Sequence, residues 1–394
     1  MTDRLYYDHT EMREFDAVVT AIREHGDGTA EISLDRSAFY PTSGGQPFDT
    51  GEITSAGQSY RVTDVQVDDR GEVWHTVPSG LQAGERVHGR IDWERRFDHI
   101  QQHGGEHMLA GCIWEKLGGM TIGLHLGAEN SSIDVSFPDG RTRVTQEEIR
   151  LLEETVNRRI QQNDPVRCWF PDAEELKTLP LRKAPTVSEH IRIVAFGDYE
   201  MVACGGTHPS RTGEIGCMRI LSVAPVRGKA RFTFVCGMRA VKLARVWADA
   251  SEQAAAMLSS PVTELPEAVE RLKDKQRELT DQLKHCRTAL YEIALRQSAE
   301  KLPNGLLLRR AYEAEGNADA MTSAVQKLAA EPDGILLAGA SGRIVFARSA
   351  NVSVNMAELL RTVGKGGGKP DFASGAGDGE TLEKAAERLR GMAQ

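Results

Sequence analysis

Two short segments, HGGEH and CGGTH, constrain the fold of this chain more than any other feature. Each places two metal-ligating residue types four positions apart, with two glycines between them. On an α-helix this spacing puts both side chains on one face, so His103 and His107 can bind one ion together. Cys204 and His208 would complete a set of three imidazoles and a thiolate, which suits tetrahedral zinc. The fold must then join segments about a hundred residues apart.

The HGGEH segment has two other interpretations. Its letters match H-x-x-E-H, the pattern of inverzincin metallopeptidases. In such an enzyme Glu106 would be the general base, and a downstream glutamate such as Glu174 or Glu175 would be the third ligand. That interpretation leaves the CGGTH segment without a role. Two helical histidines four apart also occur without metal, as capping or packing residues, so the residues alone leave these alternatives open.

A separate prediction follows from the glycines at 104, 105, 205 and 206. A glycine inside a helix costs about 1 kcal/mol relative to alanine. Such a pair beside each ligand couplet predicts that another group approaches the backbone closely. A structural zinc site does not need that space, whereas a substrate does. The glycines therefore favour a substrate at the metal.

The chain has 394 residues, too many for one hydrophobic core, and its patterns predict a multidomain α+β protein. Short strands separated by turn residues predict a small β-barrel at residues 1–90. Residues 91–238 are predicted to form an α/β domain, 239–300 a helical hairpin, and 301–394 a small α/β domain. In the hairpin, apolar residues at alternating steps of four and three over residues 265–293 predict a coiled coil.

Composition narrows the class of protein. The six cysteines never form C-x-x-C, which favours reduced thiols over a disulfide framework. The sequence contains no apolar run long enough to cross a bilayer and no signal core, so we expect a cytoplasmic protein without a membrane partner. The net charge is −9, so any RNA contact must rely on locally gathered basic residues.

At these motifs the sequence resembles the editing domains of alanyl-tRNA synthetases and their free-standing AlaX-type relatives. That family pairs H-x-x-x-H with C-x-x-x-H, which appear here as HGGEH and CGGTH. AFYPTSGGQPFDTG, at residues 38–51, matches the family's glycine-rich F-Y-P-x-x-G-G-Q-P-x-D-x-G motif. SSPVTELPEAVERLK resembles the family's helical linker, and GKGGGKPDFASGAG its C-terminal domain. We find no segment for a class II aminoacylation domain, so the resemblance is to a long, free-standing form.

The resemblance implies a fold and an activity. Residues 91–238 would be the zinc-binding editing domain shared with threonyl-tRNA synthetases, and residues 301–394 a tRNA-binding domain. The reaction would be zinc-dependent hydrolysis of mischarged tRNA(Ala), chiefly Ser-tRNA(Ala), with Gly-tRNA(Ala) as a further substrate. A pocket built for alanine cannot strongly exclude glycine or serine, so a second site must hydrolyse the errors. One zinc ion and no nucleotide cofactor are expected.

The resemblance also implies site residues. The substrate contacts are expected at Thr42, Ser43, Gly44, Gly45, Gln46 and Thr207. Thr42 and Gln46, together with Glu106, are the predicted catalytic residues. By themselves, the residues of PTSGG also form a good turn. Glu106 departs from the family pattern, because many relatives have a small or hydroxylated residue there.

Five basic residues are predicted tRNA contacts. Arg227, Lys229 and Arg231 lie along one predicted strand and could follow the phosphates of an acceptor stem. Lys365 and Lys369 bracket a glycine triplet that does not match a P-loop. By itself that triplet predicts a flexible loop, whereas the resemblance implies a surface that binds tRNA near its elbow. A non-catalytic tRNA-binding protein with the same fold is the remaining alternative.

Overall fold

The computed structural model describes residues 1–185 and 188–393. The architecture is mixed α+β, as predicted, and the chain divides into two compact units, residues 1–250 and 251–394. Each unit contains two hydrophobic clusters among its described residues. The finer boundaries at residues 90, 238 and 300 remain predictions.

The first unit begins with a curled antiparallel sheet. Its strands and two short neighbours are β1 (Asp3–Arg4), β2 (Glu14–Glu24), β3 (Thr29–Leu34), β4 (Arg36–Ser37), β5 (Gly51–Ser55), β6 (Gln58–Val62), β7 (Asp64–Val67), β8 (Val73–Pro78) and β9 (Arg86–Ile91). Seven of them pair in the order β6–β5–β9–β2–β3–β8–β7, and β6 also contacts β8, so the sheet nearly closes. The observed sheet is therefore close to the predicted β-barrel, although the strand patterns did not predict β5 and β9.

His75 on β8 makes the stability of this sheet depend on pH. The ring is fully buried, with Nδ1 3.1 Å from the carbonyl oxygen of Ile32 and Nε2 2.7 Å from Oγ of Ser37. Burial lowers the pKa of His75 from 6.5 to about 4. Between these values the unfolded chain binds a proton that the folded chain does not. Neutral His75 therefore contributes its full stabilisation of the fold above pH 6.5, and this contribution is lost as the pH falls towards 4.

We expect His75→Gln to flatten the fall in the free energy of unfolding between pH 7 and pH 5. Urea unfolding of both proteins at the two pH values measures this slope. His9→Gln, at an exposed position, is the matched control and should keep the wild-type slope. An unchanged slope in the His75 variant would show that another group sets the acid sensitivity.

The rest of the first unit surrounds one long helix. Its elements are α1 (Trp93–Leu117), β10 (Met120–Leu126), β11 (Ser131–Ser136), α2 (Gln146–Gln162), β12 (Val166–Trp169), α3 (Ala173–Thr178), β13 (Ile193–Phe196), β14 (Glu200–Ala203), β15 (Met218–Val226), β16 (Lys229–Cys236) and α4 (Met238–Leu258), which crosses the unit boundary. Two antiparallel sheets pair as β10–β11–β16–β15 and β12–β13–β14. The hairpin of β10 and β11 was not predicted.

Helix α1 is the element that positions the site. Residues 99–113 are all buried, so their polar side chains need partners inside the protein. The side-chain amide of Gln102 donates to the carbonyl oxygen of Cys236 at 3.1 Å and accepts from its backbone N–H at 2.9 Å. Arg96, also fully buried, donates from Nε to the Asp49 carboxylate at 2.9 Å. These contacts fix α1 against both the loop that precedes β5 and strand β16.

The second unit is a small α/β layer structure, as predicted. Its elements are α5 (Leu265–Gln297), β17 (Glu300–Lys301), β18 (Leu307–Glu313), α6 (Ala318–Ala329), β19 (Gly334–Ala340), β20 (Arg343–Arg348), α7 (Met356–Val363), β21 (Lys365–Gly368), β22 (Phe372–Ala376) and α8 (Gly379–Met392). The sheet order is β17–β18–β19–β20–β22–β21, with β18 and β19 parallel and joined through α6. The glycine triplet after Lys365 is an edge strand paired with β22, so the flexible-loop expectation is wrong.

The predicted hairpin helices are present as α4 and α5. The apolar heptad positions of α5 are not buried, because Leu272, Leu279 and Leu290 are each more than half exposed. The helix instead buries Tyr291 and Leu295 in the cluster that contains α6. Coiled-coil packing of the heptad stripe remains a prediction. No helix in the described residues has the length and apolarity needed to cross a bilayer.

Candidate metal centre

The four predicted ligands meet at one point. His103 and His107 come from α1, while Cys204 and His208 come from the loop after β14. Their ligand atoms all lie within 4.8 Å of one another. Nε2 of His107 is 3.2 Å from Nε2 of His208, and Sγ of Cys204 is 3.4 Å from Nε2 of His103. Tetrahedral zinc with nitrogen ligands at its usual bond lengths separates neighbouring donors by about 3.3 Å. Both pairs are close to this separation, so the four donors could hold one ion once the wider pairs contract.

Burial puts the imidazoles in the form that binds metal. It lowers the pKa of His103 to about 3, with a smaller contribution from the charge of Arg192. It also lowers the pKa of His107 and His208, so all three rings are neutral at physiological pH. Burial raises the pKa of the Cys204 thiol to about 12. A cation that binds here must therefore displace the thiol proton.

Gln46 orients one of the ligands. It is fully buried, and its Oε1 accepts from Nδ1 of His103 at 2.9 Å and from the backbone N–H of Thr207 at 3.2 Å. Its Nε2 donates to Oγ1 of Thr207 at 2.8 Å. The bond to Nδ1 leaves Nε2 of His103 free to bind metal. Geometry thus supports a ligand-orienting role for Gln46, and direct substrate contact by Gln46 or Thr207 remains a prediction.

Arg192, which sequence reasoning missed, holds the loop that carries the second couplet. Its side chain is buried and donates to the carbonyl oxygens of Cys204 at 3.2 Å, Gly206 at 2.9 Å and Tyr7 at 2.8 Å. Among the described residues it forms no ion pair with a carboxylate. The only local signal is a lone arginine just before the apolar run IVAF.

The glycines do not leave space for a substrate. A Cβ added at Gly105 would lie 2.2 Å from Sγ of Cys236, and one at Gly206 would lie 2.1 Å from Cε1 of His103. Protein atoms fill the space that was assigned to a substrate, so that expectation is wrong at both positions. Of these four glycines, only Gly205 has nearly open space for an added Cβ, whose closest contact would be at 3.8 Å.

A cavity of about 580 Å³ lies beside the ligands, and His103, His107 and Cys204 line it. A tight turn brings in Ser43 and Gly44, both of which also line it. The turn has positive φ at its two central glycines, 58° and 88°, as two-residue hairpin turns require.

The other predicted turn residues face elsewhere. Thr42 is not among the lining residues; its Oγ1 accepts from the side-chain amide of Gln66 at 3.3 Å. A Cβ at Gly45 would meet the carbonyl oxygen of Leu124 at 2.6 Å, so this residue is packed against β10. The turn therefore reaches the cavity through Ser43 and Gly44, whereas the predicted roles of Thr42 and Gly45 have no contact there to support them.

Glu106 also lines the cavity. Its carboxylate is buried and lies 3.7 Å from Nδ1 of His107, a nitrogen without a hydrogen-bond partner among the described residues. Burial raises the pKa of Glu106 to about 7, with Arg182 opposing the shift and Glu200 adding to it. A carboxyl group with such a pKa can exchange protons near neutral pH. Its catalytic role remains a prediction.

The predicted tRNA contacts lie on two hairpins. Arg227 is in the turn between β15 and β16, and Lys229 follows it. Arg231 is already paired with Asp134 at 2.7 Å, which reduces its value for phosphate binding. Lys365 begins β21, and Lys369 follows that strand. These contacts remain predictions.

Known proteins match both the barrel-like sheet and the ligand loop. A family model described as "tRNA synthetases class II (A)" matches residues 2–95, and one described as "Threonyl and Alanyl tRNA synthetase second additional domain" matches residues 191–231. The alanine–tRNA ligase of Pyrococcus furiosus is 32% identical over 406 residues, which cover 99% of this chain. That of Pyrococcus abyssi is 31% identical over 392 residues, covering 95%. Over nearly its whole length this chain is similar in sequence to the alanyl-tRNA synthetases.

The relationship confirms the resemblance seen in the motifs. The chain spans 43% of the Pyrococcus furiosus ligase and 42% of the Pyrococcus abyssi ligase. A solved structure of RecJ with Mn²⁺ from Thermus thermophilus matches 34% of this chain at 17% identity and a TM-score of 0.26, which supports no functional argument.

Proposed function

We propose that this alanyl-tRNA synthetase relative is a zinc-dependent aminoacyl-tRNA deacylase that acts in trans on Ser-tRNA(Ala), and on Gly-tRNA(Ala) as a second substrate. The observation that carries the proposal is the convergence of three neutral imidazoles and a thiol, of which His103, His107 and Cys204 line a cavity of about 580 Å³. The similarity to alanine–tRNA ligases over 95–99% of the chain supports tRNA(Ala) as the partner.

The chain's own residues have distinct roles in this proposal. His103, His107, Cys204 and His208 would hold zinc, and a Lewis-acid contact to the ester carbonyl would require one of these four ligands to be displaced. Four protein ligands fill a tetrahedral shell, so we assign proton transfer to Glu106. Its carboxylate would take a proton from the attacking water and return it to the ribose oxygen as the ester C–O bond breaks. Serine and uncharged tRNA are the products.

Selectivity for serine over alanine follows from a polar pocket wall. A site that hydrogen-bonds a substrate hydroxyl strongly rejects an analogue without it, because its own polar group is left unpaired. Ser43, exposed at the cavity, is the hydroxyl we assign to this contact.

The peptidase alternative lacks its third ligand. Among the described residues the metal-binding cluster contains no carboxylate. Glu175 instead accepts a hydrogen bond from Nε1 of Trp169 at 2.9 Å, and Glu174 is paired with Lys177 at 2.7 Å. These contacts favour the deacylase.

The deacylase proposal is tested with the purified chain and two charged tRNAs. We expect zinc-loaded protein to hydrolyse Ser-tRNA(Ala) at least about tenfold faster than Ala-tRNA(Ala), because only serine satisfies a hydroxyl partner. Removal of zinc with a chelator should abolish turnover, and zinc addition should restore it. Loss of labelled amino acid from acid-precipitable tRNA measures both rates.

Each other outcome identifies an alternative. Zinc-loaded protein that binds tRNA(Ala) but cleaves neither ester would be a non-catalytic tRNA-binding protein. Cleavage of a peptide substrate that survives loss of Cys204 would indicate the peptidase. Equal hydrolysis of the seryl and alanyl esters would contradict the proposed selectivity.

A further inference from the structure

We infer that Cys168 positions the candidate ligand His208, because its sulfur accepts a hydrogen bond from Nδ1–H of that ring while Nε2 holds the metal. Cys168 belongs to neither of the two ligand couplets, so this role goes beyond the four predicted ligands. The inference rests on the zinc centre of the proposed function, but it does not depend on ester hydrolysis.

The two ring nitrogens of His208 have different surroundings. Nε2 faces the other ligands, since it lies 3.2 Å from Nε2 of His107. Nδ1 lies 3.7 Å from Sγ of Cys168 and 3.5 Å from Nη1 of Arg192. A neutral imidazole that binds metal through one nitrogen carries its proton on the other. With metal on Nε2, Nδ1 is therefore a donor and needs an acceptor.

Arg192 cannot supply this acceptor. A guanidinium group has only N–H donors. Its Nη1 already donates to the carbonyl oxygens of Cys204 at 3.2 Å and Gly206 at 2.9 Å, which use both hydrogens of that nitrogen. Sulfur accepts hydrogen bonds, and its larger radius accounts for the 3.7 Å separation. Among the described residues, Cys168 is thus the acceptor available to Nδ1 of His208.

The backbone holds Cys168 beside this ring. Cys168 lies on β12, where it pairs with Val194 of β13. At the start of β12, the N–H of Val166 donates to the carbonyl oxygen of Ser210 at 2.9 Å, so the strand is bonded to the segment that follows His208. His208 is only 1% exposed, and its Nδ1–H therefore depends on a partner within the protein.

The first couplet shows the same arrangement with a different acceptor. There Oε1 of Gln46 lies 2.9 Å from Nδ1 of His103. Partners of this kind fix the orientation and the tautomer of a ligand ring, and their loss typically lowers metal affinity about 10- to 100-fold. Sulfur is a weaker acceptor than an amide oxygen, so we expect the loss of Cys168 to lie at the lower end of this range.

Cys168 lies outside the cavity assigned to the substrate. It lines a second cavity of about 720 Å³ together with His208, whereas His103, His107 and Cys204 do not line that one. Cys168 in turn is not among the residues that line the cavity of about 580 Å³. It therefore acts through His208, and we expect no contact between Cys168 and the ester.

The zinc affinity of Cys168→Ala tests this role. We expect the purified full chain to bind zinc about tenfold more weakly, because Nδ1 of His208 loses its acceptor. Competition with a chromophoric chelator measures the affinity. Cys168→Ser keeps an acceptor on the same Cβ and should recover most of the loss. With Co²⁺ in place of zinc, Cys168→Ser should show the same thiolate-to-metal charge-transfer absorption as wild type, since Cys204 supplies the thiolate.

Val166→Ala is the matched control for packing. Val166 lies two residues before Cys168 on β12, so the two side chains are on one face of the strand. Both are half-buried, and both line the cavity of about 720 Å³. We expect Val166→Ala to bind zinc like wild type, even where its urea midpoint falls as much as that of Cys168→Ala. Equal losses of zinc affinity in the two variants would show a merely structural role and overturn the inference.

The remaining outcomes separate this inference from the proposed function. Wild-type zinc affinity in Cys168→Ala, or no recovery in Cys168→Ser, would overturn the positioning role and leave the four ligands in place. A weaker charge-transfer absorption in Cys168→Ser would make Cys168 itself a ligand and would also overturn that role. A protein that gives the expected affinities but hydrolyses neither ester would refute only the deacylase. Wild-type protein without zinc affinity would refute both.

Discussion

Cys204→Ala should abolish both metal retention and ester hydrolysis. The change removes the only anionic ligand of the cluster and leaves three neutral imidazoles, whose combined attraction for a dication is much weaker. Loss of an outer-shell partner alone lowers metal affinity about 10- to 100-fold, so loss of a ligand should exceed about a hundredfold. Zinc content after dialysis and single-turnover deacylation rates measure the two effects.

The pH dependence of zinc uptake should change in the same variant. Because burial raises the pKa of the Cys204 thiol, binding of zinc to the metal-free protein releases its proton, and the affinity falls as the pH falls. Cys204→Ala should lose this proton release. Cys217→Ala, which changes an exposed cysteine outside the cluster, is the control and should retain zinc and activity. A metal-free Cys204 variant with undiminished hydrolysis would refute the assigned ligands.

Gly206→Ala should weaken zinc binding nearly as much as Cys204→Ala does, through a steric clash alone. The added Cβ would lie 2.1 Å from Cε1 and 2.5 Å from Nδ1 of His103, and 3.0 Å from Oε1 of Gln46. The ring cannot move away easily, because it is buried and bonded to Gln46. The new methyl group must therefore displace either the ligand or its loop. We expect at least about a hundredfold weaker zinc binding, as for other losses of ligand geometry.

Gly205→Ala is a matched control one residue away. Its added Cβ would meet only the Tyr7 ring and hydroxyl, at 3.8–3.9 Å, which is ordinary contact. We expect zinc content and deacylation within about twofold of wild type, as for a change that disturbs no ligand. If both variants lost zinc equally, loop flexibility would be the cause and the His103 clash would not. If both retained it, the described packing would be incorrect.

Several elements were predictable because their signals are local. The spacing of the first couplet predicts a helix, and one is found at Trp93–Leu117. The sequence Thr145-Gln-Glu-Glu148 has the form of a capping box, and it begins α2 with both reciprocal hydrogen bonds present. Such features depend on side chains within about one helical turn of each other.

Other elements escaped prediction because their signals are not local. Exposed positions interrupt the alternation of β10, whereas β11 alternates regularly but has only Ile133 and Val135 as apolar residues, so period-two patterns did not mark them. The apolar stripe of α5 suggested a coiled coil, but a heptad pattern does not specify the surface that will cover it.

The sequence by itself determined the spacing within each couplet of candidate ligands, because spacing of four is a property of the chain. It also carried the motifs of the alanyl-tRNA synthetase relatives. Only the tertiary structure decided what surrounds those ligands. Cys236 fills the space beside Gly105, and His103 fills the space beside Gly206. Gln46 accepts a hydrogen bond from the candidate ligand His103. Contacts between segments that lie far apart in sequence depend on how the whole core packs, and no local pattern records them.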